Sequence, residues 1–96
     1  MRGMLSFQIL WLLSRKPMHG EEIAEEIEKR RGSKPKAGTI YPALKELSEN
    51  GLIEGSREGK KVVYSITPTG RYGVKRAAMH FYRSFGDIFE SERVQS

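Results

Sequence analysis

The chain has 96 residues, which suits a single domain with a modest core, and it carries a formal net charge of +5 at pH 7. It contains no cysteine, which excludes disulfide scaffolds, thiolate metal sites and cysteine nucleophiles and fits a reducing compartment. Its longest apolar run, residues 4–13, includes polar side chains and is far shorter than the ~20 residues that a membrane span needs, so we expect no membrane segment, no signal peptide and a cytoplasmic location.

The positive charge is concentrated in one third of the chain. Residues 29–61 contain nine Lys or Arg and four Glu, so the whole surplus of +5 lies there and the rest of the sequence is neutral. A basic segment of this kind is typical of a surface that binds phosphate groups. Taken alone, it is equally compatible with an ordinary solvated surface.

A first helix is predicted over residues 4–15, and its apolar side chains point in nearly every direction around the helix axis. A chain of this length has little material to cover all sides of such a helix. We therefore expect a second copy of the chain to cover part of it. Phe7 and Trp11 are interpreted as core or interface residues, with a ligand pocket as the alternative.

Residues 16–20 are predicted to form a connector, and a second helix follows over residues 21–31. Its outer side carries five glutamates, which lack the apolar surroundings that would raise a carboxyl pKa for acid–base catalysis. We interpret them as a solvated face that is also favourable near a helix N-terminus. His19, at the entrance of this helix, is interpreted as a cap or turn residue rather than a catalyst.

A third helix is predicted up to Asn50, where Gly51 supplies a left-handed stop. Pro42 lacks an amide hydrogen and is expected in the first turn, so the helix should begin near residue 38 or 39. A long basic connection joins it to the second helix. The two helices are predicted to form a helix-turn-helix pair, in which the third helix enters a nucleic-acid groove.

The two faces of this third helix differ in character. Ile40, Leu44 and Leu47 recur at helical spacing and predict a buried stripe. Tyr41 and Lys45 lie one turn apart on the opposite side, where an aromatic ring and a cation are free to contact a partner.

Two strands are predicted over residues 52–57 and 61–67, joined by a turn at residues 58–60. Arg57, Lys60 and Lys61 lie at the tip of this hairpin. A basic hairpin directly after a recognition helix is typical of the wing of a winged helix, which contacts the sugar-phosphate backbone or the minor groove. An ordinary solvated hairpin is the alternative, and the position next to the third helix favours the wing.

Thr67 and Pro68 predict the start of a last helix that runs to about residue 92, is weakened by Gly70 and Gly73 and is interrupted at Gly86. A helix of about 25 residues is roughly 37 Å long, whereas a globule of this chain length has a radius of gyration of about 13 Å. The helix should therefore extend beyond the core and pack on a second copy in a homodimer. The predicted dimerisation residues are Trp11, Val74, Ala78, Phe81, Phe85, Ile88 and Phe89.

Four motifs can be compared with a known family, namely HGEEI at residues 19–23, GTIYPALKEL at 38–47, NGLI at 50–53 and VYSITPTG at 63–70. Together they resemble the successive signatures of PadR-type transcriptional regulators, with Glu21 at a position where that family usually has tyrosine. The resemblance covers nearly the whole chain. It implies a homodimeric repressor with an N-terminal winged helix and a single C-terminal dimerisation helix. In some relatives, a phenolic or other aromatic compound bound between helices at the dimer centre releases the DNA, which makes such an effector a hypothesis for this chain.

The sequence therefore predicts a mainly α fold with a two-stranded β wing, divided into a winged helix-turn-helix domain over residues 1–67 and a dimerisation helix over residues 68–96. The leading hypothesis is a transcriptional regulator, a repressor, that binds double-stranded DNA as a homodimer at a pseudo-palindromic operator. The predicted DNA-binding residues are Lys36, Thr39, Tyr41, Lys45, Arg57, Lys60 and Lys61.

Other hypotheses are open beside this one. A winged helix that binds only protein would use the face around Tyr41, and the basic surplus argues against it. A further hypothesis adds a small aromatic effector, bound near Phe7, Trp11, Phe81 and Phe85. An enzyme has the least support, because two distant histidines and the absence of cysteine leave no catalytic constellation. The sequence predicts no cofactor and no metal site.

Overall fold

A computed structural model describes the backbone of residues 2–95 and the side chains of residues 4–80, 82 and 83. The elements follow in the order α1 (Arg2–Arg15), β1 (Met18–His19), α2 (Gly20–Arg31), α3 (Ala37–Glu49), β2 (Ile53–Glu58), β3 (Lys61–Ile66) and α4 (Pro68–Gln95).

The core lies where α1, α2 and α3 meet, and it buries the apolar stripe predicted for α3 together with apolar stripes of α1 and α2. Its largest fully buried side chains are Ile9, Leu12, Leu13, Ile23, Ile27, Ile40 and Leu44. Since burying one such side chain contributes about 1.5–3 kcal/mol, these stripes supply the main force that fixes α3 on the other two helices. The exposed side of α3 is held rigidly as a result.

Two helix ends form as expected from the sequence. His19 caps α2: its side chain accepts a hydrogen bond from the backbone of Glu22 at 3.2 Å, and the Glu22 carboxylate accepts one from the backbone of His19 at 3.1 Å. After α3, Gly51 adopts a positive φ of 74°, and the Leu52 amide donates to the Leu47 carbonyl at 3.0 Å. This is the Schellman arrangement that ends a helix. Both predictions are confirmed.

The predicted start of α3 is wrong by one or two residues. The helix begins at Ala37, because the Lys36 carbonyl accepts hydrogen bonds from the amides of both Thr39 and Ile40 at 2.9 Å. Pro42 therefore lies inside the helix, beyond its first turn. A proline there cannot donate to the carbonyl four residues earlier, which leaves the Gly38 carbonyl available at the helix surface.

The sheet has three strands rather than the two predicted, in the order β1-β3-β2. Met18 and His19, expected in a connector, pair antiparallel with Tyr64 and Val63 of β3. The predicted hairpin is confirmed, with β2 and β3 in register from Ile53↔Ile66 to Glu58↔Lys61. Gly59 in the two-residue loop has a φ of 64°, as a type II′ turn requires at its first central position. The hairpin is thus anchored to the helices along one edge through β1.

The last helix runs without a break from Pro68 to Gln95, so the interruption expected at Gly86 is wrong. Its 28 residues correspond to about 42 Å, and the chain measures 55 × 29 × 21 Å along its principal axes. Val74 packs against the core, and Ala78 is exposed. The side chains of four predicted dimerisation residues, Phe81, Phe85, Ile88 and Phe89, lie outside the described residues.

Among the residues that the structure describes, no helix is long and apolar enough to cross a membrane. The same part of the chain holds no cluster of three or more His, Asp or Glu side chains that could bind a metal ion.

Candidate nucleic-acid interface

Tyr41 lies at the centre of the exposed surface of α3. Its side chain is 47% exposed, and its ring covers Gly20 at the start of α2. A Cβ atom on Gly20 would lie 2.8 Å from both Oη and Cε1 of Tyr41, which is closer than real Cβ contacts allow. The ring can therefore rest on α2 only because residue 20 has no side chain.

A groove opens between α3 and the β2–β3 hairpin, and we call it the wing groove. It is lined by His19, Gly20, Glu21, Tyr41, Lys60, Lys61, Val62 and Tyr64. Burial raises the pKa of the Tyr64 phenol, and the neighbouring Tyr41 phenol adds to that rise. The groove thus brings the predicted contact residues Tyr41, Lys60 and Lys61 together. The groove is lined by the rings of Tyr41 and Tyr64, with the cations of Lys60 and Lys61 at one end.

Arg57 belongs to the same side of the hairpin. It pairs with Val62 across the two strands, and paired residues point to the same face of a sheet. Since Val62 lines the wing groove, Arg57 lies on the face that borders it. Gly55, the partner of Tyr64, leaves room on this face, because a Cβ atom there would lie 2.9 Å from Val62 Cγ1 and 3.3 Å from Tyr64 Cε1.

A second groove, the connector groove, lies on the other side of Tyr41. Its lining residues are Gly20, Glu21, Ala24, Lys34, Pro35, Lys36, Ala37, Ile40 and Tyr41. Lys36, a predicted backbone contact, is the N-cap residue of α3 and is exposed. The connector groove therefore continues the cationic surface from the hairpin to the start of α3.

Thr39 lies apart from the residues with which it was grouped. Two residues along a helix correspond to about 160° around its axis in the shorter direction, so Thr39 and Tyr41 occupy opposite flanks of α3. Thr39 is exposed beside Arg31 and Glu46, in a groove that reaches α1. Lys45 is exposed one turn after Tyr41.

The cations of the basic segment fall into two groups. Glu26 pairs with Lys29 at 3.0 Å and with Arg30 at 3.1 Å, and Glu21 pairs with Lys34. Within the described part of the chain, no carboxylate forms an ion pair with the cations predicted to bind DNA, namely Lys36, Lys45, Arg57, Lys60 and Lys61. These five side chains are therefore available to phosphate groups.

The hypothetical effector pocket is described only in part. Phe7 and Trp11 are half-buried, and the side chains of Phe81 and Phe85 lie outside the described residues. The guanidinium groups of Arg15 and Arg30 lie 5.2 and 5.0 Å from the Trp11 ring centroid. Both contacts are within the range of cation–π interactions, so Trp11 links α1 to the end of α2.

Sequence reasoning missed two features of this surface, the place of Tyr64 in the wing groove and the ion pair between Glu21 and Lys34. The position of Tyr64 depends on the register of β3, and the two charged residues are 13 positions apart. Glu21 was interpreted only as part of a solvated face. A local pattern carries no signal for either contact, because the first depends on strand pairing and the second on how the connection before α3 folds back along α2.

The chain matches a known protein family over most of its length. Residues 9–76 match the family model described as "Transcriptional regulator PadR-like family". A curated relative, an uncharacterised 37.1 kDa protein in transposon TN4556 of Streptomyces fradiae, is 33% identical over 84 residues, which cover 86% of this chain and 24% of the relative. The chain spans about a quarter of the length of the curated relatives that it matches.

Solved structures agree with that match. A transcriptional regulator from Clostridium thermocellum superimposes with a TM-score of 0.80 and 26% identity, covering 93% of each chain. A PadR family transcription regulator from Clostridium difficile R20291 gives a TM-score of 0.74 and 25% identity, covering 91% of this chain and 95% of that one. The winged-helix fold predicted from the sequence is confirmed.

Proposed function

Because the chain belongs to the PadR-like family of DNA-binding transcriptional regulators, we propose that it acts as a repressor that binds a pseudo-palindromic operator as a homodimer. In this proposal α3 enters the major groove and the β2–β3 hairpin contacts the adjacent backbone. A cytoplasmic location follows from this role.

The observation that carries the proposal is the distribution of cations around Tyr41. Five exposed Lys and Arg side chains flank it without an ion pair to any described carboxylate, whereas Lys29, Arg30 and Lys34 are paired within the chain. A Lys or Arg side chain that binds a DNA phosphate releases a condensed counterion. This is most effective when no carboxylate of the protein already neutralises that side chain. The surface around α3 therefore suits a phosphate backbone better than the surface along α2.

The proposed contact residues differ in what they bind on the DNA. Lys36, Arg57, Lys60 and Lys61 contact phosphates and set the register of the protein on the duplex. Lys45 reaches a guanine edge or a phosphate, and Tyr41 donates to a phosphate or packs on a thymine methyl group. Thr39, on the other flank of α3, contacts the opposite side of the same groove.

The homodimer is proposed from the shape of α4. The helix is longer than the core it covers, and its exposed residues near the middle include Ala78 of the predicted apolar stripe. A two-fold partner offers the same stripe in return. Two recognition helices would then meet successive major grooves about 34 Å apart.

Replacing Lys60 and Lys61 by alanine tests the position of the hairpin on DNA. The variant should bind every duplex more weakly, and the slope of log affinity against log salt should become shallower by about four for the dimer, because each of its two protomers loses two phosphate contacts. Fluorescence anisotropy at a series of salt concentrations measures the affinity and its salt slope. The measurement uses duplexes selected from a random pool and one unselected duplex.

A double replacement of Lys75 and Arg83 by alanine serves as the control, because it removes the same charge from exposed positions on α4. It should leave the slope near that of the unmodified protein. Equal slopes for the Lys60/Lys61 variant and the unmodified protein would contradict the proposed role of the hairpin. If no duplex is enriched and the protein binds none, the alternative of a protein-interaction module is favoured instead.

A small aromatic effector is proposed as the releasing signal, on the basis of the half-buried rings of Phe7 and Trp11. Trp11 is the single tryptophan, so its emission reports directly on this region. Titration with a panel of phenolic compounds should quench it and weaken DNA binding over the same concentration range. Emission that stays constant across the panel would count against an effector there.

A further inference from the structure

Glu21 is the acidic residue shared by both grooves beside Tyr41. It lines the wing groove with Lys60 and Lys61, and it lines the connector groove with Lys34 and Lys36. It is the second residue of α2, so its backbone is fixed by the helix start that His19 caps. A carboxylate therefore lies in the middle of the surface on which the proposed DNA contacts converge.

The carboxylate has a specific partner. Lys34 Nζ donates a hydrogen bond to Glu21 Oε1, and the two side chains are 39% and 56% exposed. The hydrogen bond from Lys34 and the charge of Lys34 lower the pKa of Glu21, and Lys61 contributes in the same direction. Glu21 is thus ionised at neutral pH. It forms an ion pair with Lys34, which would otherwise be available to bind a phosphate group.

This exposed ion pair must be broken before Lys34 can bind a phosphate. Its two charges attract each other only weakly in water, and a phosphate oxygen can accept the same hydrogen bond from a lysine that a carboxylate accepts. A DNA backbone that approaches Tyr41 must therefore compete with Glu21 for Lys34. It must also come close to a fixed negative charge.

We propose that Glu21 limits the affinity of the protein for duplex DNA by holding Lys34 in an ion pair and so keeping it out of the set of phosphate contacts. This rests on the proposed function, since it assumes that DNA binds across the two grooves. Glu21 then sets how tightly the surface binds any backbone and how strongly that binding depends on salt, whereas base recognition is left to α3.

Glu21→Gln tests the proposal, because it removes the charge and keeps the size and shape of the side chain. The variant should bind both a selected and an unselected duplex more tightly, and by the same factor, because the released Lys34 contacts a phosphate regardless of sequence. One added contact in each protomer steepens the salt slope of the dimer by about 1.8, so the gain in affinity should grow about twelvefold as the salt falls from 200 to 50 mM.

A double-mutant cycle with Lys34→Gln separates the release of Lys34 from simple repulsion. If Glu21 acts through Lys34, Glu21→Gln should give most of its gain when Lys34 is present and little when residue 34 is glutamine. An equal gain in both backgrounds would overturn the proposal, because it would show that Glu21 acts only by repelling DNA. A salt slope unchanged by Glu21→Gln would overturn it as well.

Glu54→Gln is the matched control, since it removes one negative charge from an exposed position on β2 that lines neither groove. It should not steepen the salt slope. Circular dichroism of all variants shows that their helices are intact. If the unmodified protein binds no duplex, the proposed function fails together with this inference; if it binds DNA through Lys60 and Lys61 while Glu21→Gln has no effect, only the inference fails.

Discussion

Tyr41 takes its position from a neighbour that lacks a side chain. The ring touches the backbone of Gly20, so it is braced against α2 while nearly half of its surface stays exposed. In the proposed contact with DNA, a side chain fixed in this way loses less conformational freedom when it binds. The sequence does not reveal this contact, because glycine is also found at helix starts where no side chain packs against it.

Gly20→Ala should displace the Tyr41 ring. The added methyl group would lie 2.8 Å from the ring, so either the ring or the start of α2 must move. Because the ring is the exposed end of a side chain that can turn aside, we expect a loss of only about 1 kcal/mol in the free energy of unfolding, together with weaker binding to selected duplexes. Urea denaturation and anisotropy measure the two effects.

The same substitution in a Tyr41→Ala background provides the control for that prediction. With the ring removed, the methyl group of alanine meets open space, and Gly20→Ala should become neutral or slightly stabilising. An equal loss of stability in both backgrounds would show that residue 20 is sensitive for a reason other than its contact with Tyr41.

The burial of single residues was predictable where helical spacing determines it. Ile40, Leu44 and Leu47 are buried and Tyr41 and Lys45 are exposed, as the period of α3 requires. The partners of charged residues were not predictable in the same way. The ion pair between Glu21 and Lys34 depends on how the connection before α3 folds, and no local rule specifies that path.

At the scale of elements, strand β1 shows what local patterns cannot reveal. Met18 and His19 have no strand pattern of their own, and they become a strand only because β3 presents Val63 and Tyr64 opposite them. Two residues are too few for alternation to be detected. The start of α3 was misplaced for a related reason: proline is favoured in a first turn, but Pro42 lies beyond it in a helix whose inner face is held by the core.

The junction between the hairpin and α4 depends on Gly70. The sequence presents Gly70 and Gly73 as two equivalent weak points at the start of the helix, but their surroundings differ. A Cβ atom on Gly70 would lie 2.1 Å from the Leu52 carbonyl oxygen and 2.7 Å from Ile66 Cγ1, whereas one on Gly73 would meet nothing within 4 Å. Gly70 allows α4 to begin directly against the end of α3 and the strands.

Gly70→Ala should therefore lower the free energy of unfolding by about 3 kcal/mol, since a backbone carbonyl cannot move aside as a flexible side chain can. Gly73→Ala is the matched control and should raise it by about 0.5–1 kcal/mol, because alanine replaces glycine in an open helix interior. Thermal or urea unfolding measures the change in the free energy of unfolding for both variants. Similar effects of both substitutions would contradict the close contact seen at Gly70.

On the scale of the whole molecule, the chain combines a small three-helix core with a helix that is about 42 Å long. Its longest dimension, 55 Å, is nearly twice the next, 29 Å. The two sides of α4 differ: Ala78 belongs to the stripe that begins with Val74 at the core, and Tyr82, one turn later, lies next to that stripe. Tyr72 and Met79 are exposed about 100° or more around the helix axis from Ala78.

Glutamate substitutions on the two sides of α4 test the proposed dimer. Ala78→Glu places a charge in the predicted interface and should convert the protein to monomers at micromolar concentration, since a buried unpaired charge is strongly unfavourable. Met79→Glu, about 100° around the helix axis, should leave the dimer intact. Sedimentation equilibrium measures the mass of each variant, and circular dichroism shows whether α4 remains helical.

The same two variants connect assembly to DNA recognition. A monomer retains its cationic surface around Tyr41, so Ala78→Glu should bind an isolated half-site as the unmodified protein does but lose the extra affinity for two half-sites spaced one helical turn apart. If Met79→Glu dissociates the dimer and Ala78→Glu does not, the interface lies on the side of Tyr72 and Met79. A single copy that binds the two-site duplex as tightly as the unmodified protein would rule out a role for dimerisation in operator choice.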